Sequence, residues 1–144
     1  MKSVTKMLIA GFALVATVAM AETESTDPTV IARQTLMKTI GMNTKVLGDM
    51  AGGKAAFDAT AAEAAKVAIV AASAEIAAKF EPNVTDAGSE AKPDIWTNWE
   101  DFTTKGMALN AAATALDASS VESIGAGMGA VGGACGACHK AYRM

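Results

Sequence analysis

The chain has 144 residues, 51% of them hydrophobic, and carries 12 Lys and Arg against 15 Asp and Glu, for a formal net charge of −3. That length is enough for one domain with its own core. An acidic balance excludes the basic footprint that nucleic-acid binding demands.

Residues 1–21 have the make-up of a cleaved secretory signal. Lys2 and Lys6 form a positive n-region, Met7 to Met20 is apolar apart from Thr17, and Ala19-Met20-Ala21 is a small-residue cleavage site. The apolar run is short for a membrane span and polar sequence follows at once, although a retained anchor is the alternative. The expected organisation is therefore a signal peptide at 1–21 and one mature domain at 22–144, exported to the periplasm. The mature part keeps ten basic against fifteen acidic residues, a net charge of −5. It holds no further 18-residue apolar stretch, so no membrane span is expected in it. Its acidity suits a basic or locally basic protein partner.

Helical spacing runs through the rest, and the spacing predicts four helices. The first spans about 28–50, with Asp27 as N-cap, Pro28 at the first helical position and Gly52-Gly53 as the stop. Its inward stripe is Val30, Met37, Ile40, Thr44 and Leu47. The second spans about 56–80, with Ala62, Ala65, Ile69, Ile76 and Phe80 inward and Pro82 after it. A loop rich in turn formers, 81–92, follows. The third runs from Pro93 to about 117 on a seam of Ile95, Trp99, Phe102, Gly106, Leu109, Ala113 and Leu116. Ser119-x-x-Glu122 reads as a capping box for the fourth, whose stripe is Val121, Ile124, Met128, Val131, Cys135, Cys138 and Tyr142. Six glycines interrupt that helix, each costing about 1 kcal/mol against Ala. Gly132, Gly133 and Gly136 are expected to let a neighbouring helix and a cofactor approach the backbone.

The chemistry lies in Cys135-Gly136-Ala137-Cys138-His139. Two cysteines three apart followed by histidine form the attachment signature of a c-type haem, with two thioether links and an imidazole placed to bind iron. The motif uses both cysteines and the only histidine of the chain. A dithiol redox pair is the rival, but such pairs follow a strand near a βαβ unit and no strand pattern surrounds this one. A structural zinc site lacks its other ligands. With the histidine committed, no general acid–base constellation is left, so the expectation is that the protein is not an enzyme.

Downstream of the motif only Met144 could add a ligand, and it shares the helix of His139. A sixth ligand must come from upstream, where Met37 is central on the inward face of the first helix, one turn after Arg33. Met42 and Met50 lie off that face. Met37 as a core gap-filler is the plain alternative.

In these features the chain resembles the class II c-type cytochromes, the cytochrome c′ and cytochrome c-556 group. The resemblance rests on Val131-Gly-Gly-Ala-Cys135-Gly-Ala-Cys138-His139-Lys-Ala-Tyr142-Arg143, on Arg33-Gln34-Thr35-Leu36-Met37-Lys38 with Gly41, and on Pro93-Asp94-Ile95-Trp96. It implies an all-α, antiparallel four-helix bundle with one covalently attached haem c. It implies His139 as proximal ligand and Cys135 and Cys138 as attachment points. It sets Arg33 and Gln34 by the propionates, Arg143 near the histidine and Glu90 along the haem border. Arg33, Glu90 and Arg143 as ordinary solvated charges are the alternative. Met37 falls on the distal position, where the group divides.

Two functions follow from that division. One is a periplasmic one-electron carrier with Met37 and His139 on iron, meeting redox partner proteins through a small transient interface. The other is a five-coordinate protein that binds NO or CO in a pocket of Met37, Ile40, Phe80 and Trp96. A thiol or metal protein without haem is the third reading. The resemblance also makes a homodimer through the first two helices plausible.

Overall fold

The computed structural model describes residues 24–144. The signal segment 1–21 lies outside the described residues. The remainder is helical: α1 is Pro28–Ala51, α2 Ala59–Ala74, α3 Ile76–Phe80, α4 Asp94–Thr97, α5 Trp99–Ala115 and α6 Val121–Tyr142. These six make the four arms of a bundle, because α2 with α3 and α4 with α5 are interrupted versions of single expected helices. Each arm packs on two others, α1 on α2, α2 on α5, α5 on α6 and α6 back on α1. Among the described residues no helix is long and apolar enough to cross a membrane.

The caps explain the ends. Asp27 Oδ1 accepts from Thr29 N at 2.7 Å and Pro28 opens α1. Asp58 caps α2 through Ala61 N at 2.8 Å. For α6 the expected box is displaced by one residue. Ser119 N donates instead to Asp117 Oδ1, and Ser120 and Ser123 form the reciprocal pair. The interruption after Ala74 sits where Asn110 Nδ2 of α5 donates to Val70 O at 2.8 Å and Ser73 Oγ at 2.9 Å. A side chain 40 residues away thus takes a carbonyl of the last turn of α2. The second break is at Asn98, whose backbone leaves the helical region and whose Nδ2 donates to Asp94 O.

Every arm contributes to one core. Val30 and Leu47, Ile69, Ile95, and Ile124 with Val131 are fully buried, each such burial stabilising by about 1.5–3 kcal/mol. At one end the core is aromatic. Phe80 lies 5.2 Å from Phe102, and Phe102 lies 5.5 Å from Trp99 and 5.4 Å from Tyr142. Met50, expected off the inward face, is buried in this core, because α1 extends through its full last turn against α2.

The glycines of α6 depart from expectation in how helices pack on them. A Cβ at Gly132, Gly133 or Gly136 would meet nothing within 4 Å, so no neighbouring helix approaches there. The close contact is at Gly127, where a Cβ would stand 3.0 Å from Leu116. Gly106 has the same role in α5, 3.3 Å from Ile76.

Candidate cofactor site

Helix α6 carries the motif to its last turns. Because a helix turns once in about 3.6 residues, Cys135, Cys138 and His139 project from adjoining parts of one side. Both cysteines are half-buried and pack against the core. Burial pushes both thiols above the ordinary cysteine range, with Lys105 opposing it at Cys138. His139 stands at the edge, and partial burial followed by the Arg143 cation holds its pKa below the ordinary value, with Glu90 opposing. That direction favours the neutral imidazole, the form that binds metal.

Beside these residues lies a cavity of about 440 Å³. Its α6 wall is Cys138, His139 and Tyr142, and its facing wall is Val30, Arg33, Gln34, Met37, Lys38 and Gly41 of α1. Phe80, Ile95 and Phe102 form the floor, and Ser89, Glu90, Ala91 and Arg143 the rim. Met37 and His139 thus reach one cavity from two helices.

Arg33 is the best-anchored of the polar residues. It is only 3% exposed, which overturns the reading of a solvated surface charge. Its Nε donates to Lys79 O at 3.0 Å, Nη1 to Val84 O at 2.7 Å and Nη2 to Pro82 O. These carbonyls belong to the end of α3 and the loop that leaves it. The Arg33 guanidinium carbon lies over the rings of Phe80, at 5.1 Å, and Trp96, at 5.3 Å. Burial lowers its pKa and Asp27 raises it, but a guanidinium stays charged. Five N–H donors and three carbonyl bonds leave two N–H groups that these carbonyls do not use.

Gln34 Nε2 ties the N-terminal segment to the loop through Ser25 Oγ and Gly88 O, both at 2.9 Å. The same segment is held by Asp86, which accepts from Thr26 N and Asp27 N. Those backbone bonds, Asp27 first, keep the Asp86 carboxyl below its ordinary range. Glu90 is exposed at the rim and paired with Arg143. Of the expected gas-binding pocket, Met37 and Phe80 line the cavity, whereas Ile40 and Trp96 do not. Ile40 turns into the core, and Trp96 stacks on Arg33 and donates to Phe80 O at 2.9 Å.

The donor set and the space fit a haem. A soft sulfur and a neutral imidazole converge on an apolar-walled cavity with cations at its mouth, and its size falls within the roughly 300–1,000 Å³ of cofactor sites. Gly41 supplies a further sign. It lines the cavity, and a Cβ there would meet no protein atom within 4 Å, which leaves room for a group close to α1. Lys38 and Gly41 entered the sequence reading only as part of the α1 motif that carries the resemblance, and Ser89 did not enter it. Gly41 was within reach, since it sits one turn after Met37 on the same face.

Comparison with known proteins agrees with this geometry. The family model described as Cytochrome C′ matches residues 29–143. A cytochrome c-556 from Agrobacterium tumefaciens (strain apple 185) is 39% identical over 117 residues, covering 78% of this chain and 92% of the relative. Cytochrome c′ from Rhodopseudomonas palustris superposes with a TM-score of 0.75 at 30% identity, over 82% of this chain and 97% of that one. A structure of oxidised cytochrome c556 from R. palustris gives 0.73 at 29% identity, over 81% and 96%.

Proposed function

The chain belongs to the cytochrome c′ family and is a mono-haem c-type cytochrome with covalently bound haem c, and on that premise we propose that it is a periplasmic one-electron carrier with His139 as proximal and Met37 as distal iron ligand. Haem c supplies a one-electron ferrous–ferric couple when bound. Cys135 and Cys138 hold the group by thioether links. The neutral imidazole of His139 supplies a nitrogen ligand and the Met37 thioether a sulfur ligand, a pair that raises the potential. Arg33, through its two remaining donors, and the Gln34 side of α1 receive the propionates. Phe80, Ile95 and Phe102 keep water from the apolar faces. Export as residues 22–144, after loss of 1–21, is part of the proposal, as is docking of redox partner proteins at the rim.

The observation that carries this reading is that Met37 and His139 line one cavity from α1 and α6. The similarity to a cytochrome c-556 supports it. The test is Met37→Leu, a swap close in volume: loss of the low-spin spectrum with folding intact supports the reading, and an unchanged spectrum overturns it.

The second reading, an open distal site for NO or CO, is supported by the apolar surroundings of Met37, with Val30 and Phe80 beside it, and by the likeness to cytochrome c′ structures. In both readings the protein transforms no substrate. Homodimerisation through α1 and α2 is supported by the exposed Ile31, Met42, Val46 and Val67.

A further inference from the structure

Glu90 grips Arg143 with one carboxylate oxygen. Oε2 accepts from Nε at 2.6 Å and from Nη2 at 2.5 Å. The two residues are 53 positions apart, yet their backbones are also joined. Met144 N donates to Glu90 O and Lys92 N to Tyr142 O, each at 2.9 Å, and Ala91 forms an antiparallel bridge with Arg143. The loop before α4 and the end of α6 are thus zipped together at the cavity rim. Arg143 N then closes the last turn of α6 on the carbonyl of His139, at 2.9 Å.

An exposed ion pair ordinarily contributes little, because water screens it and two flexible side chains must be ordered. Here the backbone pairing has already ordered both chains, so less entropy is lost on forming the pair. Its placement matters more than its stability. Both charged groups line the cavity with His139, Arg143 one helical turn after it, and a cation and an anion there act on the site with opposite sign. With Glu90 in place, the cation beside His139 is compensated and held. Without its carboxylate, the backbone bridge of Ala91 with Arg143 still keeps that cation at the rim, now uncompensated.

We propose that Glu90 is a positioning residue for the proximal side: by holding and compensating the Arg143 guanidinium, it sets the positive charge felt at His139 and so tunes the redox potential. This rests on the reading of His139 as proximal ligand. A positive charge beside a redox centre favours its reduced state by Coulomb attraction. Loss of the Glu90 charge therefore raises the potential, and loss of the Arg143 charge lowers it.

The experiment is potentiometric titration of the haem-loaded protein and of its Glu90→Gln, Glu90→Asp and Arg143→Gln variants, with the melting temperature of each. In Glu90→Gln the reduced-to-oxidised ratio at fixed solution potential is expected to rise about threefold, or about 28 mV at 59 mV per decade for one electron. Glu90→Asp is expected to return towards the parent, and Arg143→Gln to move the other way. A pair that merely ties the chain end would lower the melting temperature of Glu90→Gln and leave the potential unmoved, which overturns the proposal. Potentials of Glu90→Gln and Arg143→Gln that move in the same direction overturn it too. A His139→Ala protein keeps the premise separate. If its axial-ligand spectrum is that of the parent, the reading of His139 fails; if that spectrum changes while Glu90→Gln leaves the potential unmoved, only the role of Glu90 fails.

Discussion

The guanidinium carbon of Arg33 lies 5.1 Å from the ring centroid of Phe80, and the same side chain closes the carbonyls of Lys79, Pro82 and Val84. One buried cation therefore holds the end of α3, the loop after it and the floor of the cavity to α1. Replacing it orphans three carbonyls, at about 1–3 kcal/mol for each one left dry. Arg33→Met is expected to destabilise the protein by about 3 kcal/mol or more, read from denaturant unfolding. Arg33→Lys is expected to recover little, because an ammonium cannot reproduce the planar fork. A change below about 0.5 kcal/mol, the level of an ordinary surface substitution, would refute this role.

Tyr142 Oη donates to Asp101 Oδ2 at 2.5 Å, tying α6 to α5. That bond, with burial behind it, pushes the phenol up to about 12. Its folded pKa thus exceeds the unfolded value near 10, so the stability it contributes is full below pH 10 and is lost as pH rises towards 12. On the acid side Asp101, held low chiefly by Lys105 and then by Tyr142, contributes stability above its ordinary range that is lost as pH falls below it. Melting temperature against pH should fall between pH 10 and 12, and Tyr142→Phe should flatten that fall. An equally steep alkaline fall in Tyr142→Phe would assign it to other groups.

The glycines of α6 divide into two classes that a pair of substitutions separates. Gly133→Ala meets open space and gains helix propensity, an expected stabilisation of about 1 kcal/mol. Gly127→Ala puts a Cβ 3.0 Å from Leu116, so Leu116 must move and the change is expected to destabilise. Denaturant midpoints for the two variants on opposite sides of the parent are the expected result; both on the same side would refute the distinction.

What could be read in advance follows from which interactions are local. The stripe of α2 and α3, Ala62, Ala65, Ile69, Ile76 and Phe80, is buried as its spacing required, since helical periodicity records one face directly. The caps at Asp27 and Asp58 are equally local, although only the first was read. The breaks at Glu75 and Asn98 were not legible, because the first sits beside a side chain 40 residues away and the second has a backbone no propensity prescribes. The glycines misled on helix packing for a related reason: a glycine signals a close helix only if one lies opposite, and no protein atom lies within 4 Å of a Cβ at Gly132, Gly133 or Gly136. At the cavity, the sequence motif named Cys138 and His139, with Cys135 half-buried next to them on α6, and the stripe of α1 named Met37. The bonds of Arg33 to three carbonyls and the pairing of Glu90 with Arg143 span 46 to 53 residues, and no local pattern encodes such distances.

Gly41 offers a test of how closely the α1 wall approaches the cofactor. A Cβ there clears every protein atom, so Gly41→Leu leaves the apoprotein fold intact while filling part of the cavity. The expected outcome is a folded helical chain, by circular dichroism, with much reduced covalent haem content by absorbance. Full haem content would mean that the cofactor does not approach α1 at this turn.

The most direct test of Met37 and His139 as the two iron ligands is the absorption spectrum of the purified protein, oxidised, reduced, and reduced under CO. A sharp, split α/β pair in the reduced state that CO leaves unchanged is the expected result, since both axial positions are filled by protein. A broad merged band that shifts strongly with CO would contradict ligation by Met37 and give precedence to gas binding at an open distal site.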